Sequence, residues 1–458
     1  MRARLAWFAA ALALATLVAS CATVPPPAPT PPAPAPRAAS PAVPEATPQP
    51  IPPPPAPVVP AGPAEEAPHG EQPWITVGLA WDLRGVTVDP EGPAIVEGGG
   101  RHALAADEQL SVTLEGGRAV ARGVGGRVRW RASVPSSDTL WVTPDSGAAI
   151  RWNGRRWRGQ FKIFVNPRRK LTIATRLPLE SYLVGVIPGE IGALADDLLE
   201  AGRAQAIAAR SYTLFYRGRR GPEGFDVYAT VEDQVYGSVE AERPLATRCV
   251  ESTFGSVALS GGQPIRANYF STCGGITADV WEAWPASPLP YLVSHRDAGA
   301  DRDYCSASPH YRWREVWTPG EFMADLVRFG PRFGVPLPRG GAGRLVDVRA
   351  ESRSRSGRVW RLRVDTTTGV IVVPAWSLRQ VLRRPGNTSA ILRSTLFKVG
   401  VRRDAGTGRP TAVIVSGAGS GHGVGLCQTG ALGMAREGRS AEQIIRHYYR
   451  GVELRRLY

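Results

Sequence analysis

Hydrophobic and polar positions alternate in short runs over the first folded part of this chain, from Trp74 to about Pro144. Runs such as ITVGLAW, LSVTLE and TLWVTP have a period of two and are separated by Gly, Asp and Pro. This alternation predicts half-buried strands, and the residues between the runs predict tight turns. We therefore predict a small β domain at residues 73–150, which contains no evident cluster of chemically active side chains.

Apolar residues recur at helical spacing farther along the chain. The segment LLEAGRAQAIAARSYTLFYRG, residues 198–218, is rich in alanine and predicts a buried helix. A hairpin turning at Asn166-Pro167 leads into another helix, predicted at Leu179–Val186. The segment SAEQIIRHYYRGVEL predicts an amphipathic helix that Ser440 caps and Gly451 follows.

Strands and helices in this mixed order predict an α+β fold class. A helix near Pro319–Phe329, followed by two strands, interrupts the main pattern, and we assign residues 311–410 to an α+β insertion. The core then consists of residues 151–310 before the insertion and residues 411–458 after it.

The N-terminal residues predict an export signal rather than part of the fold. Two arginines precede the apolar run Leu5–Val18, and the small residues after it end at Cys21. The sequence LVASC resembles a bacterial lipobox, which implies a signal peptide at residues 1–20 and a lipid on Cys21; a plain secretory signal is the alternative. We expect an exported protein, lipid-anchored to a bacterial membrane and facing the periplasm or cell wall.

Residues 21–72 are mostly Pro and Ala after the cysteine. Such a segment cannot bury a core, and it predicts a disordered, extended linker. The chain as a whole has a net charge of +15, from 55 Lys and Arg against 40 Asp and Glu. In an exported protein this charge favours anionic lipids and wall polymers as partners, so we expect no nucleic acid.

A glycine-rich loop near the C-terminus, SGAGSGHGVGLCQTG, combines backbone freedom with very few polar side chains. It lacks the lysine of a phosphate-binding loop. Its glycines permit close backbone approach, so His422 and Gln428 could line a groove that binds a polar polymer. The alternative is a tight packed turn in which His422 bonds to a carbonyl group.

Five segments carry a resemblance to a known family: PLESYLVGVIPGEI, AGRAQAIAARSYTLFY, DVYATVEDQVYGSVEAE, ANYFSTCGG and GHGVGLCQTGALGMAREGRSAEQIIRHYYRGVEL. Together they resemble the SpoIID/LytB family of bacterial wall proteins, over roughly residues 75–454. The resemblance implies a SpoIID-like core of mixed strands and helices. It also implies a lytic transglycosylase that cuts the MurNAc–GlcNAc bonds of peptidoglycan glycan strands and leaves 1,6-anhydro ends.

The family's catalytic acid falls on Glu190 in the segment VIPGEIG. Glycosidic cleavage needs a carboxylic acid that protonates the leaving oxygen, and an apolar site raises its pKa. Glu190 stands between apolar residues, which permits such a shift. Because the sugar supplies the nucleophile, no second carboxylate is required.

The resemblance also implies a substrate groove formed by the other motifs. Hydroxyl, amide and imidazole groups suit binding to sugars, and a guanidinium suits an acetamide or lactyl group. The candidates for substrate binding are Tyr269, Ser271, Thr272, His422, Gln428, Gln234, Tyr236 and Arg210. For Arg210 we favour pairing with a buried acid, while Trp281 and Trp284 could stack on sugar faces.

Four cysteines remain after Cys21. In an oxidising compartment we expect a disulfide between Cys273 and Cys305 and no cofactor. The alternative is a zinc ion held by Cys273, Cys305 and His310, with Cys427 or His422 as a further ligand.

Two other functions remain open. The protein could be a non-catalytic, peptidoglycan-binding enhancer of an N-acetylmuramoyl-L-alanine amidase, which would make an amidase its partner. A metal-dependent amidase built on the Cys and His residues is the third alternative.

Overall fold

The computed structural model describes residues 71–106, 108–116, 118–123, 127–133 and 138–458. The predicted signal peptide, the predicted lipidation of Cys21 and nearly all of the predicted linker lie outside these residues. Strands and helices are mixed along the described chain, as the α+β prediction requires.

The strands are short and mostly antiparallel. Their bounds are β1 Trp74–Leu83, β2 Gly85–Pro90, β3 Ala94–Glu97, β4 Arg101–Leu104, β5 Leu110–Glu115, β6 Arg118–Arg122, β7 Val128–Ser133, β8 Thr139–Pro144, β9 Ile150–Trp152, β10 Arg155–Trp157, β11 Gln160–Val165, β12 Leu171–Pro178, β13 Val227–Tyr228, β14 Ser256–Ser260, β15 Gln263–Pro264, β16 Tyr269–Phe270, β17 Arg312–Trp317, β18 Leu345–Arg353, β19 Val359–Thr366, β20 Gly369–Pro374, β21 Arg383–Arg384, β22 Asn387–Ile391, β23 Phe397–Arg403, β24 Pro410–Ala418, β25 Leu426–Cys427 and β26 Glu453–Arg456.

The α-helices are α1 Leu179–Ile191, α2 Leu199–Tyr216, α3 Pro244–Ser252, α4 Val280–Ala283, α5 Pro319–Phe329, α6 Ala375–Val381, α7 Gln428–Arg436 and α8 Ala441–Tyr448. Among the described residues no helix is both long and apolar enough to cross a membrane. Helix α5 has the predicted bounds, and Ser440 caps α8 through a hydrogen bond from the Gln443 backbone amide.

The largest sheet joins the predicted β domain to the predicted core. Its strand order is β13-β1-β12-β11-β8-β3-β4, so β1 pairs with β12 and β8 pairs with β11. The same hydrophobic cluster contains Val77 from β1, Ile173 from β12 and Val112 from the neighbouring six-stranded sheet. The boundary predicted at residue 150 therefore passes through one continuous sheet and core.

Helices α1 and α2 pack against each other in the core. Helix α2 is buried along most of its length, and its alanines let α1, α7 and α8 approach closely. Helix α1 continues past the predicted end at Val186, through Pro188, and stops before Gly192, whose φ is +81°. Proline usually ends a helix, which explains the short prediction; here the extra residues place Glu190 in the last turn.

The predicted insertion has a hydrophobic core of its own, formed by residues between Trp317 and Val415. Strand β24 is the centre of a sheet with order β17-β24-β23. It extends to Ala418, beyond the predicted limit of the insertion at residue 410. The last strand of the insertion therefore leads directly into the glycine-rich loop.

A buried ion pair joins α1 to α2. Arg210 is fully buried, and its Nε and Nη2 donate to the Glu180 carboxylate at 2.7 and 2.6 Å. Its Nη1 donates to the Ser256 carbonyl, and the Tyr458 hydroxyl donates to Glu180. Arg210 is thus committed to the pairing role that the sequence favoured over substrate binding.

Replacing Arg210 with Leu should destabilise the protein by about 3–5 kcal/mol, because the Glu180 carboxylate would remain buried without its partner. Urea-induced unfolding measures the change. Arg248→Leu is the matched control: Arg248 pairs with Asp196 at the surface and should cost less than about 1 kcal/mol. Equal losses from the two substitutions would contradict the role assigned to the buried pair.

Candidate active site

Two glycines in α1 allow a neighbouring segment to reach Glu190. A Cβ on Gly185 would lie 2.5 Å from the Tyr236 ring, and one on Gly189 would lie 2.9 Å from the Val235 carbonyl oxygen. The Gly237 amide donates to the Gly185 carbonyl. This close approach lets the Val235 amide donate to Glu190 Oε1 at 2.7 Å.

The environment of Glu190 favours the neutral carboxyl. Burial raises its pKa to about 7, against the opposing hydrogen bonds from the Val235 amide, the Gln428 side chain and the Tyr269 hydroxyl. The carboxyl also lies at the C-terminal end of α1, where the partial negative charge of the helix disfavours a carboxylate. Glu190 can therefore hold a proton at neutral pH.

A cavity of about 300 Å³ opens beside this carboxyl. Aromatic and charged side chains make up most of its wall. The cavity is lined by Glu190, Tyr212, Tyr216, Arg219, Val231, Glu232, Asp233, Val235, Arg266, Asn268, Tyr269, Trp284 and His422. The loop that precedes α3, one face of α2 and the glycine-rich loop thus meet here.

The histidine of the glycine-rich loop is fixed in one neutral form. The Val424 amide donates to Nδ1 of His422, so its Nε2 carries the proton and donates to the Tyr269 carbonyl at 3.1 Å. Burial lowers the pKa of His422 to about 3. The bond to a carbonyl is the one expected for a packed turn, yet the ring also lines the cavity. His422 can orient Tyr269 but carries no charge near neutral pH.

Glycines bring this loop against the strand that carries Tyr269. Gly425 has a φ of +77°, and a Cβ there would lie 2.1 Å from the Asn268 carbonyl oxygen. Strand β25 then pairs with β16, which sets Leu426 opposite Tyr269. The next residue after β25 is Gln428, whose side chain reaches Glu190.

Gln234 supports the site from behind. It is fully buried, and its oxygen accepts from the Tyr182 and Thr213 hydroxyls at 3.1 and 2.7 Å. Its amide nitrogen donates to the Tyr269 hydroxyl at 2.9 Å. Gln234 therefore positions Tyr269 and does not line the cavity, where the sequence had placed it.

Tyr236 is also a predicted groove residue that has structural contacts instead. It packs between Tyr182 and Trp157, with ring centroids 5.1 and 5.7 Å away. Like Arg210, it is not among the residues that line the cavity.

The two hydroxyl residues after β16 likewise contact other parts of the protein. The buried Thr272 hydroxyl bonds to the hydroxyls of Ser308 and Thr429. The Ser271 carbonyl accepts from the Thr429 hydroxyl. Neither Ser271 nor Thr272 is among the residues that line this cavity, and both contact Thr429 of the glycine-rich loop.

A guanidinium and an indole ring form part of the cavity wall: Arg266, which was not predicted from the sequence, and Trp284, which was predicted as a residue that could stack on a sugar. Arg266 lies over Trp284, with its guanidinium carbon 4.8 Å from the ring centroid. Trp284 also contacts the His422 ring at 4.8 Å. The other candidate, Trp281, packs on Trp360 of the insertion. Arg266 follows the hairpin of β14 and β15. Its position three residues before Tyr269 is the feature of the sequence that could have indicated a place in the cavity wall.

Helix α2 contributes Tyr212 and Tyr216, which were not predicted from the sequence. They are four residues apart, and their rings are 4.6 Å apart. This spacing places both on one helical face, a signal that was present in SYTLFY. Arg219 follows them, with its guanidinium carbon 4.6 Å from the Tyr216 ring centroid.

Three cysteines and one aspartate form a second buried group, which we call the thiol cluster: Cys273, Asp297, Cys305 and Cys427. Cys273 and Cys305 are free thiols with Sγ atoms 3.4 Å apart, so the disulfide between them stays a prediction. His310 lies outside the cluster, since its Nδ1 is bound to the Arg393 guanidinium at 2.9 Å. His422 is likewise held elsewhere, by Val424 and Tyr269.

Comparison with known proteins identifies two matching family models. The model described as Stage II sporulation protein matches residues 167–259, which include Glu190 and Gln234. A Domain of unknown function (DUF8618) matches residues 300–425, which cover the insertion and the start of the glycine-rich loop.

Curated relatives match a larger part of the chain. Stage II sporulation protein D of Bacillus amyloliquefaciens is 30% identical over 61% of this chain and 74% of its own length. The protein of the same name from Bacillus subtilis is 29% identical over the same shares. An amidase enhancer of Bacillus subtilis is 27% identical over 59% of this chain, although the match spans 40% of that longer protein. These matches, together with the family model over the segment that carries Glu190, show that the chain belongs to the SpoIID family.

Proposed function

We propose that this protein is a lytic transglycosylase that cleaves the MurNAc–GlcNAc bonds of peptidoglycan glycan strands. Membership of the SpoIID family supports a peptidoglycan-related role in the broader sense. The observation that carries the finer proposal is the Glu190 carboxyl, which lines the cavity and has a pKa raised to about 7.

In this reaction Glu190 acts first as an acid. Its proton goes to the oxygen between the two sugars, and the bond from C1 of MurNAc to that oxygen breaks. The 6-hydroxyl of the same MurNAc attacks C1 and closes the 1,6-anhydro ring. Its proton passes to Glu190, which returns to the acid form without consuming water.

One carboxyl is sufficient because the substrate supplies the nucleophile. Asp233 also lines the cavity, but it pairs with Arg219 and Arg220 at 3.3 and 3.2 Å and accepts from the Tyr228 amide. These contacts give the Asp233 carboxyl structural partners. Glu232 is exposed on the cavity wall, so it lacks the sheltered setting that a proton donor needs.

The remaining wall suits an amino sugar that carries a lactyl group. The Trp284 ring offers an apolar face for a sugar, and the guanidinium of Arg266 above it can pair with a carboxylate. Gln428 acts on Glu190 but is not among the residues that line the cavity. The hydroxyl of Tyr269, which lines it, would hold the leaving oxygen near the proton of Glu190. These side chains orient the glycan, and Glu190 does the proton transfer.

The same proposal includes location and partners. A lipid on Cys21 would fix the chain to a bacterial membrane, and the Pro- and Ala-rich linker would let the cavity reach glycan strands. The positive net charge fits the anionic surroundings of the periplasm or cell wall.

An enhancer function is the alternative, and the similarity to an amidase enhancer favours it. In that case the cavity would hold glycan without cutting it, and the partner would be an N-acetylmuramoyl-L-alanine amidase. Added protein would then accelerate wall lysis by the amidase, while the protein alone would release no sugar product.

Substituting Glu190 with Gln should lower the rate of glycan cleavage by roughly 10²-fold or more, because the amide cannot give up the required proton. Mass spectrometry of 1,6-anhydro ends released from denuded glycan strands measures the rate. Glu251→Gln, an exposed change on α3, is the matched control and should keep the parent rate. Equal rates for the parent and Glu190→Gln would disprove the acid role.

The cleavage rate should depend on pH through the same carboxyl. Because burial raises the pKa of Glu190 to about 7, the acid form predominates below that pH and is lost above it. We expect kcat/KM to fall about tenfold per pH unit on the alkaline side of this pKa. Initial rates of anhydro-end formation across the neutral and alkaline range measure the profile, and a rate that does not change there would exclude Glu190 as the titrating acid.

Stability should follow the same titration. The folded-state pKa of Glu190 lies above the ordinary value of 4.5, so the folded protein binds this proton more tightly than the unfolded chain does. The stabilisation of the folded state that results is complete below pH 4.5 and is lost as the pH rises through about 7. The unfolding free energy of the parent, relative to Glu190→Gln, should fall by on the order of 3 kcal/mol across this window. Urea titrations at a series of pH values measure it, and a difference that stays constant from about pH 4 to about pH 8 would contradict the shift.

A further inference from the structure

We propose that Cys273, Asp297, Cys305 and Cys427 form a structural zinc site. The four residues come from separate segments of the core: the residues after β16, the loop that follows α4, the turn before β17 and the end of β25. The proposal concerns metal binding only and does not depend on the proposed function.

The side-chain atoms already surround one point. All four potential ligand atoms lie within 4.8 Å of one another. Cys273 Sγ is 3.4 Å from Cys305 Sγ and 2.9 Å from Asp297 Oδ2. In a tetrahedral zinc site with Zn–S bonds of about 2.3 Å, sulfur atoms stand about 3.8 Å apart. Small side-chain movements would therefore accommodate one ion.

Backbone amides face the sulfur atoms. The Gly275 amide donates to Cys273 Sγ at 3.2 Å. Cys427 Sγ accepts from the Cys273 and Gly430 amides at 3.1 and 3.2 Å. Such donors stabilise thiolates, which are the form that binds a metal.

Asp297 is held so that one oxygen faces the thiols. Its Oδ1 accepts from Nε2 of His447 at 3.0 Å and from the Tyr448 hydroxyl at 2.9 Å. Its Oδ2 points to Cys273 Sγ. Partners that bind the outer oxygen of a ligating carboxylate are typical of metal sites.

Charge balance also calls for a cation. The side chains of all four residues are fully buried, including the Asp297 carboxyl. The buried guanidinium of Arg358 donates to the carbonyls of Cys273, Ile276 and Thr277, and its single charge offsets only part of the negative charge that three thiolates and a carboxylate would carry. A disulfide between Cys273 and Cys305 would leave Asp297 Oδ2 and the Cys427 thiol buried without a ligand, whereas Asp297 Oδ1 would keep its contacts with His447 and Tyr448. A divalent ion satisfies all four groups.

The ligand set favours zinc over other metals. Three thiolates with one carboxylate oxygen suit a soft, tetrahedral ion, and four protein ligands leave no open position for water. A closed, buried site of this kind contributes to folding rather than to catalysis. Cys427 is followed directly by Gln428, and Cys273 lies shortly after Tyr269, so the ion would fix the backbone beside Glu190.

Metal content tests the site directly. The full-length chain, purified without chelator and without an immobilised-metal step, should contain about one zinc ion per chain by inductively coupled plasma mass spectrometry. Cys305→Ser should lose the zinc, and Asp297→Asn should release it to a competing chelator more readily than the parent. Cys249→Ser is the matched control, because Cys249 is buried outside the thiol cluster, against the Leu199 carbonyl, and should keep the zinc.

Two further measurements test the site on the parent protein and on Cys249→Ser, in case the other variants do not fold. Cobalt(II) added to metal-free parent protein should give the strong visible absorption of tetrahedral thiolate coordination. A chelator should lower the thermal unfolding midpoint of the parent and of Cys249→Ser. Protein without bound metal, in which peptide mapping finds Cys273 joined to Cys305, would overturn the proposal, as would zinc that survives in Cys305→Ser.

Discussion

The site depends on the partial burial of one carboxyl group beside a cavity. Glu190 stands at the C-terminal end of α1, where burial and the helix both disfavour a negative charge, and its pKa rises to about 7. The Val235 amide donates to the carboxyl at 2.7 Å, which opposes the shift and fixes the orientation of the group; Gln428 and Tyr269 also oppose the shift. A carboxyl that is held in place and still protonated near neutral pH is suited to donating a proton.

Much of the surrounding structure serves this arrangement. The small residues of α1 and α2 allow the loop before α3 and the C-terminal helices to pack closely around it. Gln234 ties Tyr269 to Tyr182 on α1, and His422 ties the carbonyl of Tyr269 to the glycine-rich loop. The thiol cluster contains Cys273, which follows Tyr269 in the chain, and Cys427, which follows His422, so it lies next to the contact between Tyr269 and His422. These connections hold the segments that surround Glu190 in place.

Local patterns were sufficient to predict some features of this chain. The alanine-rich segment of α2 and the capped helix α5 form where their spacing indicated, because short-range periodicity determines them. The position of Glu190 was predicted only through the family resemblance. Its burial depends on Val235 and Gln428, which are distant in sequence and come close only in the fold. Other features could not be predicted because their partners are remote. Gln234 and Tyr236 resemble groove residues in the sequence, but contacts with Tyr182 bury both of them. Asp297 has no regular spacing from any cysteine, so only the fold brings it to the thiols. The pairing of β1 with β12 crosses the boundary predicted at residue 150, because strand pairing over such a distance leaves no local signal.

The central claim is that Glu190 is protonated near neutral pH in the folded protein. Infrared difference spectroscopy of the parent against Glu190→Gln measures this directly, through the carbonyl band of the protonated carboxyl as the pH is raised. The account predicts that the band disappears with a midpoint at about pH 7. A midpoint near 4.5, the ordinary value for a glutamate, would contradict it.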